Sequence, residues 1–368
     1  MDSITQAALG AVVGELALGR KLGWRGMAWG LFFGTLPDLD ILAYPFLDEV
    51  GKLKWHRGIS HSMFVMLVAS FLFARPLAWL HRKRGVSVRR AGWFVFFVWS
   101  THVLIDVFTT YGTQIYEPFS DRRVAWNNLF IIDLLFTAPL LVAIFYRIGK
   151  GLVQAWEWSR WHRDGEDPNE RPEEEEFSLR PARAALVLSS IYVLFSFVMK
   201  FWATHQLEDR VAEAIPGGEL VAVSPTPLNT ILWRGLVETD KGYFVTHWSP
   251  FDDGPTGYDY LAKNHELTEA FEGEELFEAL TWFARDHWVA RKGPEGKVVF
   301  IDVRFGEARD FAENRLLPMF QWHLDFDDNG RMEAVTPSRG RIEIKRSLVA
   351  IWQRMLGNRR EWEEAEPY

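Results

Sequence analysis

Apolar residues gather into long runs over the first part of the chain and thin out after about Trp202. The runs are Asp2 to Gly19, the segment from Arg25 to Leu36, Met63 to Leu80, Trp93 to Phe108, Leu129 to Ile148 and Ala184 to Trp202. A helix that crosses a bilayer needs about 20 apolar residues. Several runs are shorter, so the pattern predicts an α-helical multi-span membrane domain of about five to six helices, the first run being the least typical. Within it, Gly10 and Gly14 form a small-xxx-small pair that lets helices approach closely. Glu15 lies mid-run and should face the bundle, either to pack helices or to join a site. Pro37 ends the second run, Ala43 to Lys54 reads as a loop, and Arg75 can snorkel from the end of its run.

Beyond Thr204 the period changes. Asn229 to Val237 and Gly242 to Trp248 alternate like two strands around a turn at Thr239 to Gly242. His265 to Phe283 has helical spacing, and Lys297 to Phe305 and Met319 to Phe326 read as strands, the latter before a turn at Asp327 to Gly330. Ile342 to Met355 reads as an amphipathic helix. The expected organisation is a membrane-embedded domain over 1–150, an acidic cytoplasmic loop over 151–183, a last transmembrane helix over 184–203 and a soluble α+β domain over 204–368. Asp164 to Glu176, acidic and proline-containing, reads as a solvated loop.

Charge adds orientation. The basic stretches Arg20 to Arg25, His81 to Arg90 and Arg147 to Arg183 alternate along the chain as cytoplasmic loops should. The soluble domain and the segments 44–61 and 111–127 then lie on the outer side of a bacterial-type inner membrane. The start does not read as a cleaved signal peptide: it lacks a basic region, and Asp2, Gln6 and Glu15 interrupt its apolar run. A net charge of -8 argues against nucleic acid as a partner and leaves membrane lipids as the expected surroundings. The absence of cysteine removes disulfides, thiolate metal sites and cysteine nucleophiles.

Three polar clusters interrupt the apolar runs. Asp38 and Asp40 follow Pro37, His56 and His61 bracket Arg57, Gly58 and Ser60, and His102, Asp106 and Thr109 fall on one helix face at i, i+4 and i+7. Each alone has a plain explanation: a helix cap, a satisfied histidine, a His–Asp bond that packs helices. Together they bring three histidines and three aspartates to one side of the membrane. Imidazole plus carboxylate suits zinc, and also manganese or iron, over calcium. The candidate ligands are Asp38, Asp40, His56, His61, His102 and Asp106. Six exceed what one catalytic zinc takes, so either two ions bind or some members orient the ligands. A spare carboxylate, Asp40, would serve as base, and Arg57 would hold a phosphate or carboxylate of the substrate. Asp133 is a further candidate partner for a histidine, and Arg122 and Arg123 read as contacts to lipid headgroups.

The Asp38-x-Asp40, His56-Arg57-Gly58-x-Ser60-His61-Ser62 and His102-x3-Asp106-x2-Thr109-x2-Gly112 pattern resembles the LexA-binding, inner-membrane-associated hydrolases, also described as membrane-bound metal-dependent hydrolases. The opening Met1 to Ala7, and Gly112 to Gln114 through Pro118 to Ser120, look like one branch of that family. The resemblance covers roughly residues 1–145 and implies a multi-span membrane protein with a metal site and hydrolytic activity. Some members have a histidine where this chain has Gln6. A cytoplasmic repressor could reach only the cytoplasmic loops of a chain oriented as above.

The expected function is an integral membrane hydrolase in which metal-activated water attacks a lipid-like or phosphoester substrate near the outer interface. The rival is a non-enzymatic scaffold, in which the clusters or a structural metal hold the bundle while the outer domain meets a protein partner. A transporter fits less well, because the polar residues sit at one side and no inverted repeat is visible.

Overall fold

The structure, a computed structural model, describes residues 1–164, 178–254, 257–293, 296–310, 315–336 and 344–358. The expected solvated loop at Asp164 to Glu176 therefore lies, beyond Asp164, outside the described residues.

The first half is helical. Helix α1 (Ser3–Leu22) turns at Gly23 into α2 (Trp24–Thr35). Gly10 and Gly14 face Gly26, Gly30 and Gly34, and a Cβ on Gly30 would press on the Gly10 carbonyl oxygen and stand 2.8 Å from the Gly14 Cα. The small-residue pair thus brings two backbones into direct contact. Residues 43–54, expected as a loop, instead belong to a 3-10 helix (Pro37–Phe46) and to α3 (Glu49–Trp55). Asp48 caps α3 by accepting from Gly51 N, a signal that no apolar periodicity carries. A one-turn 3-10 helix (Ile59–His61) leads into α4 (Met63–Leu80), then α5 (Val88–Val107), α6 (Leu134–Asp164) and α7 (Arg180–Ala214). Ser62 and Ser87 cap α4 and α5 through their hydroxyls.

Among the described residues, three helices are long and apolar enough, by length and composition, to cross a membrane: α4, α6 over Leu134–Trp161, and α7. The expected five to six spans are met in part by these three. Helix α2 has 12 residues, and α1 and α5 carry the polar groups of the bundle's interior. Helix α1 packs against α2, α5, α6 and α7, with Val12, Leu18, Val95 and Val98 fully buried in the shared core.

The charged stretch 151–164, expected within a cytoplasmic loop, continues α6. At its far end α7 runs past residue 203 without a break. At 35 residues and 1.5 Å per residue it is roughly 52 Å long, more than a bilayer core needs. Met199, Ala203 and Leu207 recur every four residues and are buried against Val223, Trp233 and Trp248 of the following domain. The expected boundary at 203/204 therefore falls inside one continuous helix.

The second half is rich in antiparallel β-sheet. Strands β1 (Glu219–Pro225), β2 (Trp233–Glu238), β3 (Gly242–Trp248) and β4 (Asp259–Ala262) form a meander in that order. Strands β5 (Trp288–Lys292), β6 (Val298–Asp302), β9 (Gln321–Phe326) and β10 (Met332–Val335) form a second sheet ordered β10-β9-β6-β5, and β7 (Glu307–Asp310) pairs with β8 (Arg315–Pro318). The helical spacing at His265 to Phe283 resolves into a 3-10 turn and α8 (Glu275–Ala284), parted at Gly273, whose φ is +86. Helix α9 (Ile344–Met355) closes the described chain, and Arg354, 2% exposed, bonds Asp252 and the His247 carbonyl.

The β-rich domain sits over one end of the bundle. Tyr111, from the loop after α5, packs edge-on to Phe283 at 5.4 Å between ring centroids. Helix α3 lies against α8.

Candidate metal centre

Four of the six expected ligands converge. Asp38 Oδ1, His61 Nε2, His102 Nε2 and Asp106 lie within 4.8 Å of one another and can hold a metal ion. His61 Nε2 stands 3.0 Å from His102 Nε2, 3.3 Å from Asp38 Oδ1 and 3.2 Å from Asp106 Oδ2. His102 Nε2 stands 3.5 Å from Asp38 Oδ1 and 3.7 Å from Asp106 Oδ2. Donors about 2.0–2.2 Å from a tetrahedral ion are about 3.3–3.6 Å apart, so these spacings bracket the edges of such a site. Asp106 Oδ2 is buried and has no hydrogen-bond partner. An orphaned carboxylate oxygen is costly, and here it points at two imidazole nitrogens.

The local folding explains the convergence. His102 and Asp106 sit one turn apart on α5, as their spacing predicts. His102 Nδ1 lies 2.7 Å from the Gly34 carbonyl, which makes Nδ1 the donor and leaves the Nε2 lone pair for the cluster. His61 arrives by a tight turn after α3. Arg57, not Gly58, takes the left-handed conformation, with φ +58. Gly58 is needed for closeness, since a Cβ there would meet the Trp55 carbonyl at 2.9 Å. Gln114 pins the turn, its N–H donating to the Arg57 carbonyl and its Nε2 to that of Lys54.

Asp40 and His56 stay outside the four. Asp40 accepts from Ser60 Oγ and from Arg57 N, and its Oδ1 is 3.0 Å from His56 Nδ1. Ser60 Oγ in turn lies 2.9 Å from His61 Nδ1, so Asp40 stands behind His61 rather than beside its Nε2. Burial raises the Asp40 pKa, but the His56 bond and the His56 and His61 charges outweigh it, and the net direction is down. His61 shows the opposite balance. Burial disfavours its charge, the bonds to Asp106 and Asp38 favour it, and its pKa is raised. The carboxylates thus demand positive charge at Nε2, which a proton or a metal can meet.

Arg57 is turned inward and is 3% exposed. Its Nη1 donates to Thr109 Oγ1 at 2.9 Å, and Nη2 is 3.2 Å from Asp106 Oδ1. A guanidinium so engaged holds Asp106 and is not open to a substrate. Gln6 donates to the same Oδ1 at 2.9 Å, and the Met1 nitrogen also bonds it. The inner edge of Asp106 is thereby saturated while Oδ2 remains free.

Two expectations change, and for Glu15 one of two alternatives stands. Asp133 meets no histidine; it caps α6 and accepts from the Tyr192 hydroxyl. Arg123 is buried under Tyr111 and Phe283, although Arg122 is exposed. Glu15 serves packing, 3.5 Å from Arg147 Nε. Sequence reasoning passed over Tyr111, whose ring lies under the Arg57 guanidinium at 4.8 Å and meets the His56 ring edge-on at 5.5 Å. A tyrosine in a loop carries no periodic signal.

The model of the YdjM inner membrane protein family matches residues 1–203, which contain every member of this cluster. The chain belongs to that family. Among curated relatives, it is similar to YfhP of Bacillus subtilis (strain 168), 25% identical over 255 residues that cover 67% of each protein. It is also 32% identical over 126 residues to the inner membrane protein YbcI of Escherichia coli (strain K12), covering 33% of this chain and 69% of YbcI. No solved structure matches. Family membership and the apolar helices place this YdjM-family chain in the inner membrane.

Proposed function

We propose that the chain is a membrane-embedded, metal-dependent hydrolase with a single ion held by Asp38, His61, His102 and Asp106. The reading rests on four donors within 4.8 Å of one another, one of them the unpartnered Asp106 Oδ2. Zinc fits the donor set and the spacing best, with manganese or iron as the other candidates. Such an ion supplies Lewis acidity and lowers the pKa of water bound to it. Arg57 and Gln6 fix Asp106 through Oδ1, and the Gly34 carbonyl fixes the His102 ring. His56 is the proton-handling group. Its side chain is 22% exposed, Asp40 orients it through Nδ1, and its ring centroid lies 6.2 Å from that of His61. Asp40 thereby acts through His56 and is not itself the base.

The substrate class follows from the surroundings. A cavity of about 170 Å³ is lined by Tyr44 and Tyr111, which both pack edge-on to His56, and by Leu53, Leu276, Phe283 and Trp322, with Glu49 and Lys52 as its charged members. Apolar walls at a membrane interface suit the acyl part of a lipid-like ester or phosphoester. Helices α1 and α5, each 20 residues long, and the 12-residue α2, which returns along α1 from the basic turn to the site, complete a six-helix bundle. The site and the β-rich domain share one end of the bundle, and the basic loops at the other end support an outward-facing orientation for it. These features support reading the protein as a membrane-bound metal-dependent hydrolase.

One observation favours a structural metal. Four protein donors close a tetrahedron, and three of their side chains are at most 1% exposed. Asp38, at 18%, is the donor that faces outward. Screening phosphoesters and lipid esters with wild type and His56→Gln separates the two readings. Turnover by wild type, with metal retained and turnover lost in His56→Gln, supports the hydrolase. A metal-loaded wild type inert toward the whole panel leaves the structural metal.

A further inference from the structure

We infer that a phosphate group binds between Arg123 and Arg285, at the seam where the loop after α5 meets the β-rich domain. This site is separate from the metal centre and stands without it.

Three guanidinium groups crowd this seam. Arg123 is 6% exposed, and its Nε and Nη1 have no hydrogen-bond partner. Arg285 Nε and Nη2 and Arg304 Nη1 are likewise buried and unpartnered. Arg123 and Arg304 both lie over the Phe283 ring, at 4.7 and 5.6 Å. Arg123 Nη2 reaches the Gly112 carbonyl at 3.3 Å, and the Arg285 guanidinium occupies the space where a Gly112 side chain would stand. Asp302 is the carboxylate beside them, and it is spent on Arg304 through bonds of 3.0 and 2.5 Å. Asp286, next in the chain, is exposed.

Buried cations of like sign repel, and each unpaired N–H forfeits its hydration. Burial, then the Arg304 charge, pushes Arg285 down to about 9, and burial chiefly pushes Arg123 down to about 10. The backbone is also committed to the arrangement. Arg285 and Asp286 both hold left-handed conformations, with φ +51 and +61, which residues other than glycine adopt at a cost. Five unpaired nitrogens on three planar forks, with one carboxylate among them, match an oxyanion carrying two charges and several acceptor oxygens. A phosphate, free or as a lipid phosphomonoester headgroup, has that chemistry.

The test uses the full chain in detergent, stripped of metal with chelator so that the metal centre cannot take the anion. Thermal unfolding is followed with inorganic phosphate and with dihexanoyl phosphatidic acid, against chloride at equal ionic strength. Both should raise Tm in wild type and in Asp38→Asn, and binding should weaken about tenfold or more in Arg285→Gln, with partial rescue in Arg285→Lys. Arg123→Gln repeats the test at the more buried position; Arg285→Gln keeps it decisive if that variant does not fold. Preference for the phosphatidic acid at equal concentration identifies a lipid headgroup, and equal potency a free phosphate. An effect kept in Arg285→Gln but lost in Asp38→Asn would assign the anion to the metal centre and overturn the inference. So would no effect beyond that of chloride.

Discussion

Gly30→Ala should damage the metal centre without touching it. A Cβ on Gly30 would meet the Gly10 carbonyl oxygen and carbon and stand 2.8 Å from the Gly14 Cα. Carbon atoms rest about 3.5 Å apart or more, so α1 and α2 must separate by about 1 Å. The obstructing atoms are backbone, and no side chain can rotate away. Alanine returns up to about 1 kcal/mol of helix propensity, against overpacking costs of about 1–3 kcal/mol. A net loss of up to about 2 kcal/mol follows. The Gly34 carbonyl, which orients His102 at 2.7 Å, moves with α2. Loss of such a supporting bond typically weakens metal binding about 10–100-fold. Thermal unfolding in detergent and competition with a fluorescent zinc chelator read the two effects. Gly92→Ala is the control, because its Cβ would meet Ala74 and Ser70 at an ordinary 3.5 Å. Gly30→Ala with wild-type Tm and wild-type metal affinity would refute the coupling of helix packing to the site.

Arg57→Lys cannot hold Thr109 and Asp106 together, and metal affinity should fall about tenfold or more while the fold persists; unchanged affinity by the same competition would show that Asp106 needs no such support. In the β-rich domain, burial, then the charges of Arg234 and Arg354, holds the His247 pKa well below 6.5. The unfolded chain therefore takes up a proton that the folded chain refuses. His247 contributes no pH dependence above about 6.5, and stability falls below it by up to about 1.36 kcal/mol per pH unit. His247→Gln should flatten that slope in urea unfolding between pH 6.5 and 5, and an unaltered slope would assign it elsewhere.

How much of this was legible in the chain differs by element. His102 and Asp106 were legible because helical spacing puts i and i+4 on one face whatever surrounds them. Strand β3 was found at its full extent, Gly242–Trp248, because its alternation follows a clear turn. The parting of Asp38 from Asp40 was not legible, because a 3-10 helix sends them to opposite sides of His61. Nor was the inward turn of Arg57, which depends on a positive φ at a residue where glycine is its neighbour. Helix α3 and strands β4, β5 and β10 are short, and β1, as long as β3, shows no alternation in its burial. The uninterrupted α7 hid the domain boundary, since Met199, Ala203 and Leu207 keep one apolar stripe across it.

Metal content of the detergent-purified protein tests the central claim most directly, with wild type beside His61→Ala and His102→Ala. The account expects one equivalent of a transition metal in wild type and its loss in both variants, with helical content retained. Wild type that stays metal-free after resupply, or either variant that keeps a full equivalent, would contradict it.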